Sequence, residues 1–263
     1  MKIRNMLIGI AVILMLSVNA FGADGLSLSD VQKAIKAKGA DWVAGETSVS
    51  GLSLEEKAHM ANAPSEPPGE PEETWTPDPE TPVPIGTFDW RSVGGQNWMT
   101  PVQNQNPCGT CWDYAALGVI EAQINIDRSD PTIDADLSEQ MTLSCWTGSS
   151  PWCSGGWPHY TFDQARNGGG IPDEACFPDT CKTSGCPAGG RPCNPCSDWE
   201  SRAWKITSYP AVSPHTTAAY KAALQYGPLA VCFIAPDDFY FYKSGVYSPV
   251  IESPEWAELF PTG

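Results

Sequence analysis

Histidine is scarce in this chain: three residues in 263, at positions 59, 159 and 215. Any chemistry that needs an imidazole proton carrier therefore has few candidates. Basic residues are scarce too, 15 Lys and Arg against 31 Asp and Glu, for a formal net charge of −16. That balance argues against nucleic acid and anionic membrane surfaces as partners. Beyond the N-terminus no apolar run is long enough to span a bilayer. Cysteine, by contrast, is plentiful: ten residues, several closely spaced, a usage that suits an oxidising compartment. The N-terminus agrees. Lys2 and Arg4 precede an apolar run over 6–18, and Val18-Asn19-Ala20 offers a small-residue cleavage site. This predicts a secretory signal peptide over 1–20, or to Ala23, and a secreted, periplasmic or extracellular location.

Residues 21–63 carry two helix-start signals. Ser29-Asp30-Val31-Gln32 opens a short helix that ends at Gly39, and Ser53 with Glu56 opens a second. Residues 64–84 then hold eight prolines and six acidic residues. The linker over 64–86 is expected to be extended and solvated, with the main domain spanning 87–263.

The most informative stretch runs from Pro101 to Ile126. A polar loop reaches Cys108, and from Cys111 the pattern becomes helical, with Ala116, Ile120 and Ile124 at a spacing of four. Cys111 thus stands where a helix begins. Free N–H groups and the positive end of the helix dipole there favour an anion, so a depressed thiol pKa is expected.

Gln105-x-x-Cys108-Gly-Thr-Cys111-Trp112, with Asp89-Trp90-Arg91 upstream, resembles the N-terminal signature of papain-like cysteine peptidases. The resemblance implies Cys111 as nucleophile and Gln105 as donor to the oxyanion hole. It also implies a Cys108–Cys153 disulfide, with Cys145 paired to a later cysteine. Asp113 departs from the pattern, which has a small residue there. Its carboxylate would suit the helix dipole and repel a thiolate. By the same resemblance Gly155 and Gly156 hold a substrate main chain, and Trp157 and Pro158 form a pocket wall. Cys232 would line the specificity pocket as a free thiol. The segment Trp42 to Gly45 resembles a short cathepsin-B-like propeptide and would by that resemblance lie along the cleft as its blocker; the alternative is a small N-terminal helical cap with no inhibitory role.

Cys176, Cys181, Cys186, Cys193 and Cys196 crowd a Pro- and Gly-rich stretch that needs covalent staples. The competing pattern is zinc held by Cys108, Cys111, Cys193 and Cys196. An oxidising compartment favours disulfides, so no metal and no cofactor are expected. Further on, Ser213-Pro214 signals a helix running to Gly227-Pro228, and Leu229 to Ala235 reads as a buried strand.

The implied fold is α+β, a papain-like two-lobed architecture with the helical lobe complete and the β-barrel lobe truncated. No histidine matches the family's catalytic position before Gly263, nor does an Asn-Ser-Trp segment occur. The expected function is a secreted, monomeric cysteine endopeptidase acting on peptides or proteins, inactive as given. The alternative is a non-catalytic peptide-binding or inhibitory module. A glycan-binding module built on the 11 tryptophans ranks third, because it leaves Gln105 to Trp112 unexplained.

Overall fold

The structure is a computed structural model, described over residues 2–3, 26–61, 73–78, 86–105, 107–146, 153–181, 191–233 and 235–251. In chain order its elements begin with β1 (Lys2–Ile3), α1 (Leu28–Lys38), β2 (Trp42–Ala44), α2 (Leu54–Met60) and β3 (Thr74–Trp75). The helices α3 (Cys111–Arg128), α4 (Glu139–Cys145), α5 (Pro158–Arg166) and α6 (Trp199–Arg202) follow. Then come β4 (Lys205–Ile206), β5 (Ala211–Val212), α7 (Thr217–Ala223), a 3-10 turn over Asp237–Phe241, and β6 (Tyr242–Gly245). The apolar run over 6–18 lies outside the described residues. No described helix is long and apolar enough to cross a membrane.

The four-residue spacing on α3 turns into packing. Ala116, Ile120 and Ile124 are fully buried, and with Leu117 they meet Leu137, Met141, Phe162 and Ile171 from α4, α5 and their flanks. Glu121, buried on the same helix, accepts hydrogen bonds from the Leu137 N–H and the Thr100 hydroxyl, both at 2.8 Å. These contacts fix α3 rigidly, so its first residue is well placed.

The second half is built differently. Among the described residues its strands form three separate two-stranded ladders: β1 with β4 and β3 with β5, both parallel, and β2 with β6, antiparallel. No closed barrel is formed by the described residues. Each of the ladders has one strand, β1, β2 or β3, from the chain before residue 86.

Several local expectations shift. Helix α1 is capped by Ser27, not Ser29, because Ser27 and Asp30 satisfy the capping pattern two residues earlier. The Ser53 and Glu56 capping box forms as expected. Helix α7 is capped not by Ser213 but by Thr216, whose hydroxyl accepts from the Ala219 N–H, while the Ser213 N–H donates to the Trp75 carbonyl as the chain leaves β5. The run from Leu229 is not a strand over its described residues: Val231 and Phe233 are exposed at 50% and 42%. Both line the cavity described below. The linker is not solvated throughout either, since Glu73 to Asp78 contains β3, docked on β5.

Cys108–Cys153, Cys145–Cys193 and Cys176–Cys196 are disulfides, Cys181 is also disulfide-bonded, and Cys111 and Cys232 are free thiols. With Cys108, Cys193 and Cys196 oxidised, the four-thiolate zinc set does not form. Cys186 lies outside the described residues.

Candidate active site

Cys111 is the first residue of α3. The loop before it is tied to the Gly-Gly segment three times. The Gly109 N–H donates to the Cys153 carbonyl and the Gly155 N–H to the Gly109 carbonyl, both at 3.1 Å, and Cys108 is bonded to Cys153. Glycine is required here. A Cβ at Gly109 would lie 2.4 Å from the Cys153 carbonyl oxygen and 2.5 Å from that of His59, both backbone atoms that cannot swing aside. Gly109→Ala is expected to cost roughly 1–3 kcal/mol through forced displacement of these strands. Thermal denaturation would show it as a lowered midpoint.

Around Cys111 lies a cavity of about 670 Å³. It is lined by Gln105, Trp112, Gly156, Trp157, Pro158 and Cys232, among others. These residues are far apart in sequence, and the fold gathers them. Gly155 has a positive φ of 90° and forms no part of the lining. Gly156 has its Cα against the Trp112 ring, where a Cβ would come within 2.5 Å.

Gln105 points inward. Its Nε2 donates to the Cys108 carbonyl at 2.8 Å and to the Met60 carbonyl at 3.1 Å. Met60 is the last residue of α2, so its carbonyl is one of those that a helix end leaves without an internal partner. The amide supplies that partner. A backbone carbonyl of the N-terminal segment is therefore held by the Gln105 amide, the group for which the resemblance implies a role in an oxyanion hole.

The segment covers the cavity with Ser48, Val49, Met60 and Ala61. This corrects the expectation for Trp42 to Gly45. Trp42–Ala44 pairs with β6, and the Trp42 ring is buried beside Tyr242 and Tyr247, with its Nε1–H donating to the Ser248 carbonyl at 2.9 Å. An apolar indole finds more area among those rings than along an open cleft. Trp42 is thus the anchor, and the residues after it are the cover.

The thiol expectation is also corrected. Cys111 is exposed to the cavity by surface area, yet the protein packed around it pushes its thiol up by desolvation, against the lowering effect of the Trp112 and Cys111 N–H groups. The helix end acts in the expected direction and is outweighed while the cavity is covered. The Cys232 thiol is pushed up to about 12, chiefly by burial and then by the charge of Cys111. Asp113 does not confront the thiolate. It is fully buried behind the helix and accepts from the Thr161 hydroxyl, and burial holds its carboxyl well above the usual range.

None of the three histidines lines the cavity. His59 is exposed on α2, His159 packs edge-on to Tyr160 with its pKa lowered by burial, and His215 stacks on Tyr220. Sequence reasoning missed Met60, Val49, Phe239 and Tyr240. Only the capping box that starts α2 hinted that its far end had a place to go.

A profile described as "Papain family cysteine protease" matches residues 85–258. Stem bromelain of Ananas comosus is 32% identical over 167 residues, covering 62% of this chain and 68% of that protein. Cathepsin J of Mus musculus is 31% identical over 173 residues, covering 65% and 48%. The chain spans only 36% of a third relative, cysteine proteinase 6 of Dictyostelium discoideum. Among solved structures, a recombinant stem bromelain precursor aligns with a TM-score of 0.61 at 26% identity, covering 84% of this chain and 67% of that one. ProCathepsin B S9 from Trypanosoma congolense shares the fold, with a TM-score of 0.56 at 17% identity over 87% of this chain and 79% of that one.

Proposed function

Because the chain belongs to the papain family of cysteine proteases, we propose that its cavity is a peptide-binding cleft in which Cys111 is the attacking nucleophile. In this reading Cys111 attacks a peptide carbonyl, and Gln105 donates to the oxyanion that forms. Gly155 and Gly156 hold the peptide backbone, while Trp157, Pro158 and Cys232 face its side chains. The observation that carries the proposal is the Gln105 amide, already closed on the Met60 carbonyl oxygen in the cavity that Cys111 also lines.

Residues 1–20 act as a signal peptide, 21–63 as a propeptide, 64–86 as linker and 87–263 as the peptidase domain. Support for a propeptide comes from solved relatives that are precursors and proforms. The disulfides and the N-terminal pattern support a secreted, monomeric protein that acts on peptides or proteins.

A second reading rests on one observation: no histidine lines the cavity. On that ground these 263 residues bind peptides and react with electrophiles but turn over amide bonds slowly, as a peptide-binding or inhibitory module would. Labelling with a peptidyl chloromethyl ketone separates the readings. One adduct, mapped to Cys111 and abolished in Cys111→Ser, is expected. No adduct on Cys111 would defeat the nucleophile assignment, and an adduct without fluorogenic peptide hydrolysis would favour the second reading.

A further inference from the structure

Before residue 86 the described chain pairs with the second half in three ladders: β1 with β4 at the N-terminus, and two more that share no residue. Of these two, the first dock is β2 on β6, anchored by Trp42, and it leads into the cavity cover. The second is Glu73 to Asp78, and none of its residues lines the cavity. Here β3 adds parallel to β5: the Ala211 N–H donates to the Glu73 carbonyl at 2.9 Å and the Ser213 N–H to the Trp75 carbonyl at 2.8 Å. Strand addition of this kind gives affinity through the main chain and specificity through alternate side chains.

The side chains fit that scheme. Trp75 packs on a small apolar cluster of Val212, Ala219, Ala223 and Leu229, and meets the Tyr226 ring edge-on at 5.6 Å. Val212 and Ala223 are fully buried with Trp75 in place. On the other side, the Glu73 carboxylate pairs with Arg166 at 2.8 Å. Arg166 is the last residue of α5, the helix whose first residue, Pro158, lines the cavity. The six residues therefore bridge the helical half and the second half. They satisfy the N–H groups of Ala211 in β5 and of Ser213 just after it, which would otherwise form an open sheet edge.

We propose that Glu73 to Asp78 is a structural strap of the peptidase domain, retained when the cleft-covering segment leaves. This rests on the reading of residues 26–61 as removable, and it moves the start of the working domain from near residue 87 to a point before Glu73. Trp75 is the strap's anchor, Glu73 its link to α5, and β5 with α7 the surface built to receive it.

Limited proteolysis of the folded full chain, read by intact mass and N-terminal sequencing, tests this. In the wild type the protease-resistant fragment should begin before Glu73; in Trp75→Ala it should begin after Asp78. Amide hydrogen exchange at Ala211 and Ser213 should quicken roughly 10-fold or more in Trp75→Ala, because their acceptors leave. Should Trp75→Ala fail to fold, Glu73→Gln removes the ion pair alone and should shift the same boundary in a fraction of molecules. A wild-type fragment that starts after Asp78 and stays folded would overturn the strap, as would unchanged exchange at both amides in a folded variant. The fate of residues 26–61 in the same digest reports separately. Their persistence would count against the removable cover and leave the boundary at 73–78 to decide the strap.

Discussion

Trp42→Ala is expected to raise the rate at which a small alkylating agent modifies Cys111 by roughly 10- to 100-fold at neutral pH. The indole is 3% exposed and sits between Tyr242 and Tyr247, with ring centroids at 6.2 and 5.1 Å. Its loss should weaken docking of the N-terminal segment by about 3–5 kcal/mol, the usual cost of emptying a buried aromatic site. Each 1.4 kcal/mol is about a factor of ten, so the open population should grow by roughly 100- to 1,000-fold or more, and the rate registers only part of that because Cys111 is already exposed in the cavity. Opening acts twice. It widens the path of the reagent to a thiol already exposed in the cavity, and it lessens the desolvation that holds the thiol pKa up, leaving the N–H groups of Cys111 and Trp112 to stabilise the thiolate. The inflection of the alkylation rate against pH should therefore move down. Unaltered rate and inflection would mean that the segment does not control access.

The second large effect concerns pH and stability. Glu139, 3% exposed on α4, has its carboxyl pushed up to about 9 by burial and then by the charge of Asp113, with Glu174 and Asp179 adding in the same direction. Its own backbone N–H opposes this. On α3, burial carries Glu121 to about 7. Both are acids whose folded pKa lies above the unfolded value, so the folded state holds more protons between the two. Stability is then fully present below about pH 4.3, where carboxyls in an unfolded chain are protonated, and is lost as pH rises toward the folded values. One pKa unit is about 1.4 kcal/mol, so a partial shift at two carboxyls is worth several kcal/mol between pH 4.5 and 9. For a chain of this size that corresponds to a fall of roughly 5–10 °C in the melting midpoint. Glu139→Gln should flatten the upper part of the curve by keeping the site neutral at all pH values. A melting midpoint that rises from pH 4.5 to 9 would refute the assignment.

The helical half was legible because its signals are local. Ala116, Ile120 and Ile124 repeat at helical spacing from Cys111, so the platform for Cys111 could be read directly. The gathering of Gln105, Trp157 and Cys232 around it came through the family resemblance rather than from periodicity. What stayed hidden depended on contacts between distant residues. The partner of Gln105 is a main-chain oxygen, and Met60 carries no mark in its side chain that announces it. Asp113 looked like a charge beside a thiolate, yet Thr161, 48 positions away, draws its carboxyl into the core. The linker's composition averaged over Trp75, a single anchor whose receiving surface lies beyond residue 210. Leu229 to Ala235 had the apolar content of a buried strand, but part of that surface faces the cleft.

One structure would decide the core of this account: the chain, freed of its cover, trapped with a peptide aldehyde. The oxygen of the adduct on Cys111 is predicted to lie about 2.7–3.1 Å from Gln105 Nε2, in place of the Met60 carbonyl that the same amide holds now. An adduct on Cys232, or an adduct oxygen turned away while Gln105 keeps Met60, would contradict it.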